Sequence, residues 1–139
     1  MQTLRDVMTP DPIFLAADTP VREALEVLEG GRIRHLPVVE DGQLVGMISD
    51  RTLRPWRQAL VDLRDGEGGP LAEEVLARPI RAFMHDDVLY LQADRTVVDA
   101  IDVMLDFKVG AVPVVQDGSL VGIVSYVDLL ELLKVQLTA

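Results

Sequence analysis

Ser125 and Asp128 stand three residues apart, directly behind Gly122-Ile123-Val124, where a strand gives way to a helix. A serine there can offer its hydroxyl to a phosphate or cap the helix, and an aspartate in the first helical turn can accept both hydroxyls of a ribose. Gly122 suits close backbone approach, and the exposed N–H groups of the helix N-terminus favour an anion. The same two side chains also read simply as an N-cap and a helix-dipole partner, roles worth about 1 kcal/mol each. A second group is basic: Arg34, His35 and Arg51. The planar fork of arginine suits phosphate oxygens. Against this, Arg32 and Arg34 also fit a solvated strand edge paired with Glu40 or Asp41, and His35 fits a satisfied polar position beside Trp56 or a core methyl.

Other chemistries find little support. No nucleophile elbow, Gly-rich phosphate loop or paired-carboxylate motif is present, so the chain reads as no enzyme and no residue as catalytic. His85, followed by Asp86-Asp87, reads as a turn residue, and no metal-ligand spacing occurs. The 13 basic and 23 acidic residues give a net charge of −10. Such a surface repels nucleic acid and anionic lipid, and a phosphate-bearing ligand then needs a locally basic pocket. There is no cysteine, which suits a reducing cytosol, and no apolar run long enough to cross a bilayer. The N-terminus lacks a signal-peptide profile, so the chain is expected in the cytoplasm, either complete or as a fragment of something larger.

These residues are positioned by a repeat. His35-Leu36-Pro37-Val38-Val39-Glu40-Asp41-Gly42-Gln43-Leu44-Val45-Gly46-Met47-Ile48-Ser49 reappears 76 residues on as Ala111–Ser125, matching at Pro, both Val, Asp-Gly, Leu-Val, Gly and Ser. Each copy is two apolar runs joined at Asp-Gly, a pair that tolerates the positive φ of short turns, and so predicts an antiparallel hairpin. The match extends without a gap over 7–53 against 83–129, which argues for duplication. Before each hairpin lies a short apolar run, Pro12–Leu15 or Val88–Leu91, then a helix. The first helix is expected to take Thr19 as N-cap and Pro20 at its first position, with Val21, Ala24, Leu25 and Leu28 on one face and Gly30-Gly31 at its end. In the second copy Val97, Ala100, Ile101 and Met104 share the matching face. A further helix follows each hairpin. The expected architecture is therefore α/β (α+β), two pseudo-symmetric β-α-β-β-α units. Pro55, opposite Glu131, requires the first unit's last helix to start late or bend. Leu129, Leu130, Leu132, Leu133 and Leu137 make the C-terminal helix strongly apolar, either internal core or an association face. The expected division is a first unit over 1–60, a connector over 61–78 with a flexible loop at 65–70 and a short helix, and a second unit over 79–139.

With both hairpins, their flanking helices and the Val-Met-Thr-Pro-Asp-Pro opening in view, the chain resembles a tandem pair of CBS domains, a Bateman-type regulatory module named after cystathionine beta-synthase. The resemblance covers the whole chain except the connector. It implies no required cofactor and an adenosine-containing ligand between the units, AMP, ADP or ATP before S-adenosylmethionine. The family signature Gly-h-h-(Ser/Thr)-x-x-Asp is met by Gly122, Ser125 and Asp128, whereas the first copy has Thr52 in place of the aspartate and loses a two-hydroxyl contact.

The family's phosphate contacts fall on positions held by Arg34, His35 and Arg51 in the first unit and by Gly110, Ala111 and Val127 in the second. The resemblance thus implies one competent site, with Ser125 and Asp128 at the ribose and Arg34, His35 and Arg51 at the phosphates, and one degenerate site. Thr96 completes the ligand-binding set. It also implies a homodimer and an unidentified regulated protein as partners, with no nucleic acid and no membrane. The alternatives are a ligand-free dimerisation or scaffold module, and a regulatory fragment of a larger enzyme or transporter.

Overall fold

The computed structural model describes residues 2–31 and 33–139, so Arg32 lies outside the described residues. The chain divides into two compact units: a central one, Ile13–Val88, and a split one made of Met1–Pro12 and Leu89–Ala139.

In the central unit, β2 (Leu15–Ala16) leads into α2 (Val21–Gly31), the hairpin β3 (His35–Glu40) and β4 (Gln43–Ser49), α3 (Asp50–Arg64) and α4 (Pro70–Ala77). The sheet order is β2-β3-β4, with β2 parallel to β3 and the hairpin antiparallel. Asp41 and Gly42 both have positive φ, 53° and 78°, as the hairpin turn requires. Val21, Ala24, Leu25 and Leu28 of α2 bury their shared face against Leu36, Val38 and Ile48 of the hairpin and Leu53 and Leu60 of α3. Each such side chain contributes about 1.5–3 kcal/mol on burial.

The split unit repeats this plan with β5 (Leu91–Gln92), α5 (Val97–Phe107), β6 (Ala111–Gln116), β7 (Ser119–Ser125) and α6 (Tyr126–Thr138). It also takes in the N-terminal segment, α1 (Leu4–Val7) and β1 (Thr9–Pro10), giving the sheet order β1-β7-β6-β5. β1 pairs antiparallel with β7, Thr9 opposite Ile123. The equivalent bridge in the central unit joins His85 to Met47, with both N–H groups donating across it at 3.0 Å. Each repeat's sheet is thus extended by the segment that precedes the other repeat in sequence, a pairing that depends on folding rather than on chain order.

Several local expectations change. The first strands are two residues long, Leu15-Ala16 and Leu91-Gln92, because these are the residues paired with the hairpin, at Val38-Val39 and Val114-Val115. The first helix starts one residue later than its threonine suggests: Pro20 accepts from Ala24 N–H, and Val21 N–H donates to the Arg78 carbonyl. α3 does not start late. It begins at Asp50 with Pro55 inside it, held by the Ser49 cap at one end and by buried Leu53 and Leu60 on either side of the proline. Residues 65–69 form the turn between α3 and α4, in which Glu67 and Gly68 N–H both donate to the Asp62 carbonyl, at 2.8 and 3.0 Å, and Pro70 opens α4. No helix among the described residues is long and apolar enough to cross a membrane.

Candidate ligand site

Gly122 places the end of β7 under the N-terminal segment. A Cβ at Gly122 would lie 3.1 Å from the Thr9 carbonyl oxygen and collide with Met8 Sδ, and one at Gly46 would meet Met84 Sδ and the His85 carbonyl in the same way. The close approach these glycines permit is therefore by the chain itself, not by a ligand.

Three residues on, Ser125 caps α6. Asp128 N–H donates to Ser125 Oγ (3.3 Å), and the Asp128 carboxylate accepts from Ser125 N–H (2.8 Å) and Ser125 Oγ (3.1 Å), both at Oδ2. Thr9 Oγ1 donates to the other oxygen, Oδ1, at 3.3 Å. A carboxylate oxygen offers about two lone pairs, so Oδ2 is saturated and Oδ1 keeps one free position. Thr9 was not among the sequence candidates. Its only signal was its place in the repeated segment after Met8. Thr96 makes the same kind of box on α5, accepting from Asp99 N–H at 3.2 Å while its own N–H donates to Asp99 Oδ2 at 3.0 Å. The Thr96 N–H, with Arg95 beside it, holds the Asp99 carboxyl below its ordinary value.

In the central unit the pairing of His35 with Ser49, and the 2.7 Å bond from Asp50 N–H to the Arg34 carbonyl, gather Arg34, His35, Ser49, Asp50 and Arg51 at one end of the hairpin. Ser49 caps α3 by accepting from Thr52 N–H at 3.2 Å, and the two hydroxyls lie 2.9 Å apart. His35 is half-buried. Burial lowers its pKa, the Arg34 guanidinium lowers it further, and Asp50 opposes both. Trp56 packs instead against Phe83, ring centroids 5.7 Å apart.

The arginines separate into two groups. Arg22, Arg54, Arg57, Arg64, Arg78, Arg81 and Arg95 each lie within 4.0 Å of a carboxylate, and Glu40 pairs with Arg81 at 2.6 Å rather than with Arg34. Among the described residues, Arg5, Arg34 and Arg51 have no such partner: Arg5 bonds the Gln116 side-chain oxygen, and Arg51 adjoins Asp50, whose carboxylate is taken by Arg54 and Arg57. No group of three or more His, Asp or Glu that could hold a metal occurs among the described residues.

The model of the CBS domain matches residues 4–57 and again 80–135. An A-adding tRNA nucleotidyltransferase of Aquifex aeolicus is 33% identical over 94% of this chain, of which the chain spans only 14%, and the CBS domain-containing protein YhcV of Bacillus subtilis is 28% identical over 93% of this chain and 84% of its own length. Among solved structures, CBSX2 in complex with AMP superimposes with a TM-score of 0.80 at 26% identity over the whole of both chains. The CBS domain pair of MJ0100, in complex with 5′-methylthioadenosine and S-adenosyl-L-methionine, gives 0.78 at 25% identity over 98% of each. Matched once over each of its two repeats, the chain belongs to the CBS domain family as a tandem CBS pair.

Proposed function

We propose that the chain is a cytoplasmic regulatory sensor for an adenosine-containing ligand. CBS pairs are generally regulatory ligand-binding modules, and similar pairs hold AMP or methylthioadenosine and S-adenosylmethionine. In this reading Asp128 and Ser125 take the ribose hydroxyls, with Thr96 close to that end, and Arg34, His35 and Arg51 take the phosphates of AMP, ADP or ATP. The observation that carries it is the pair Arg34 and Arg51: on a chain of net charge −10 neither has a carboxylate partner among the described residues, and both lie at one end of the first hairpin, whereas Arg5, which also has none, is bonded to the Gln116 side chain. Unpaired guanidinium groups at a hairpin end favour a phosphate over a sulfonium ligand, which carries positive charge. Two copies of the chain associate, and ligand binding alters the surface offered to a regulated protein.

A second reading, a ligand-free scaffold module, draws support from Asp128, three of whose four acceptor positions are already used within the chain. Thermal-shift titration with AMP, ADP, ATP and S-adenosylmethionine separates the two. A ligand at a hundredfold excess over its Kd stabilises the folded chain by about 2.7 kcal/mol, several degrees in Tm. The sensor reading expects that shift with an adenine nucleotide and its loss in Arg34→Ala/Arg51→Ala. No shift with any of the four ligands would leave the scaffold reading.

A further inference from the structure

Asp50 is the acidic residue among the basic ones at the end of the first hairpin. Its N–H donates to the Arg34 carbonyl at 2.7 Å, and it opens α3 directly behind the Ser49 cap, with Arg51 next in sequence. Side chains on a helix lean toward its N-terminus, so Arg54 and Arg57, further along α3, reach back to this end. Arg54 Nη2 donates to Asp50 Oδ2 at 3.2 Å, and Arg57 Nη2 donates to Oδ1. The Asp50 side chain is 20% exposed against 64% for Arg54 and 48% for Arg57, so one carboxylate lies between two guanidinium groups that shield it. Four arginines gather at this end, and the chain itself supplies the anion for two of them.

The fold does not require this cluster. The split unit builds the same hairpin end and the same serine-capped helix with Tyr126, Leu130 and Leu133 at the positions of Asp50, Arg54 and Arg57. Gly110 and Val127 stand there at the positions of Arg34 and Arg51. All five charges are present in one unit and absent from the other. As a helix support, Asp50 offers a favourable first-turn charge and an i,i+4 pair, both weak at a surface. Charges that come and go together act together, and Arg34 and Arg51 already have a proposed role at the phosphate.

We infer that Asp50 is a specificity-determining residue that sets the site for one phosphate group, so that a nucleoside monophosphate is preferred over a di- or triphosphate. This rests on the sensor reading above and names its ligand class. An ionised carboxylate only accepts hydrogen bonds. A phosphate chain extending past Arg34 and Arg51 toward α3 meets this further acceptor, and the two guanidinium groups that could answer it are already engaged. To use them the ligand must displace Asp50 and leave that carboxylate without its partners, a loss that offsets much of the new contact. A monophosphate needs no such exchange, because neither Arg34 nor Arg51 has a carboxylate partner among the described residues. Repulsion by Asp50 also grows with ligand charge, about four negative charges on a nucleoside triphosphate against about two on a monophosphate.

Titration calorimetry of the full chain with AMP and ATP, in magnesium-free buffer, tests this. The wild type is expected to bind AMP about tenfold more tightly than ATP. In Asp50→Asn, ATP affinity should rise about tenfold and AMP affinity about threefold or less, a change of ratio that a merely structural role would not produce. Asp50→Asn/Arg54→Gln/Arg57→Gln should lose the ATP gain, because the released arginines supply it. Should Asp50→Asn unfold by circular dichroism, Arg54→Gln/Arg57→Gln decides: both side chains are exposed, and leaving Asp50 unpaired should lower ATP affinity further relative to AMP. A wild type that binds neither nucleotide overturns the sensor reading itself. A wild type that prefers ATP, or a ratio that Asp50→Asn leaves unchanged, overturns the role of Asp50 with the sensor reading intact. An ATP gain that survives in the triple variant overturns the part given to Arg54 and Arg57.

Discussion

At Ser49 and Ser125 the two units share a hairpin, a capping serine and a following helix, yet the third helical residue is Thr52 in one and Asp128 in the other. Asp128 closes a reciprocal capping box and also receives Thr9, whereas Thr52 returns only a hydroxyl to Ser49. The basic residues fall the opposite way, with Arg34, His35 and Arg51 on the hairpin that lacks the aspartate. Duplication preserved what the backbone needs, the glycines, the Asp-Gly turns and the serine caps. Buried positions changed conservatively, Leu36 to Val112 and Ile48 to Val124, whereas the polar groups flanking the hairpins changed in kind. The difference teaches that shared residues report architecture, and it is the unshared ones on which the proposed ligand contacts rest.

The largest expected effect falls on the shared part. Gly122→Ala and Gly46→Ala should each destabilise by about 1–3 kcal/mol, the cost of overpacking, because Met8 or Met84 must move. Chemical denaturation measures both, and a neutral result at either would break the equivalence of the units. Next comes the unshared part: Asp128→Asn, which keeps an acceptor oxygen, should weaken adenine nucleotide binding about tenfold or more, or about 1.4 kcal/mol, while the equivalent Thr52→Ala leaves it unchanged, by isothermal titration. Thr96→Ala should cost about 1 kcal/mol of stability through loss of the α5 cap, in a thermal melt.

The smallest effect is that of pH. The folded value of His35 lies below its ordinary 6.5, so the unfolded chain takes up a proton first as pH falls. Stability from this residue is complete above pH 6.5, declines below it and levels off once the folded His35 also protonates. His35→Gln should flatten that slope in melts taken between pH 8 and 5. An unchanged slope would remove His35 from the account.

Much of this was legible in the residues. The Asp-Gly turns, the apolar face of α2 and the zero-gap repeat are local patterns, and each led to the element observed. Non-local pairings were not legible. Nothing in Met8-Thr9 says that it joins the sheet of the second hairpin, so neither the packing of Met8 on Gly122 nor the bond from Thr9 to Asp128 could be read ahead of the fold. Of the two outcomes expected from Pro55, the late start does not occur: α3 begins at Asp50, with Leu53 and Leu60 buried on either side of the proline. The proposed ligand residues were chosen by type, and which arginines lack a carboxylate partner, Arg34 and Arg51 among them, needed the positions of the acidic side chains.

The sensor proposal assigns the ribose to Asp128 of one repeat and the phosphates to Arg34 and Arg51 of the other, and so expects one nucleotide per chain. Titration calorimetry with AMP reads this as a stoichiometry. One AMP per chain, lost in both Asp128→Asn and Arg34→Ala/Arg51→Ala, is the predicted result, and two equivalent AMP molecules per chain would contradict it.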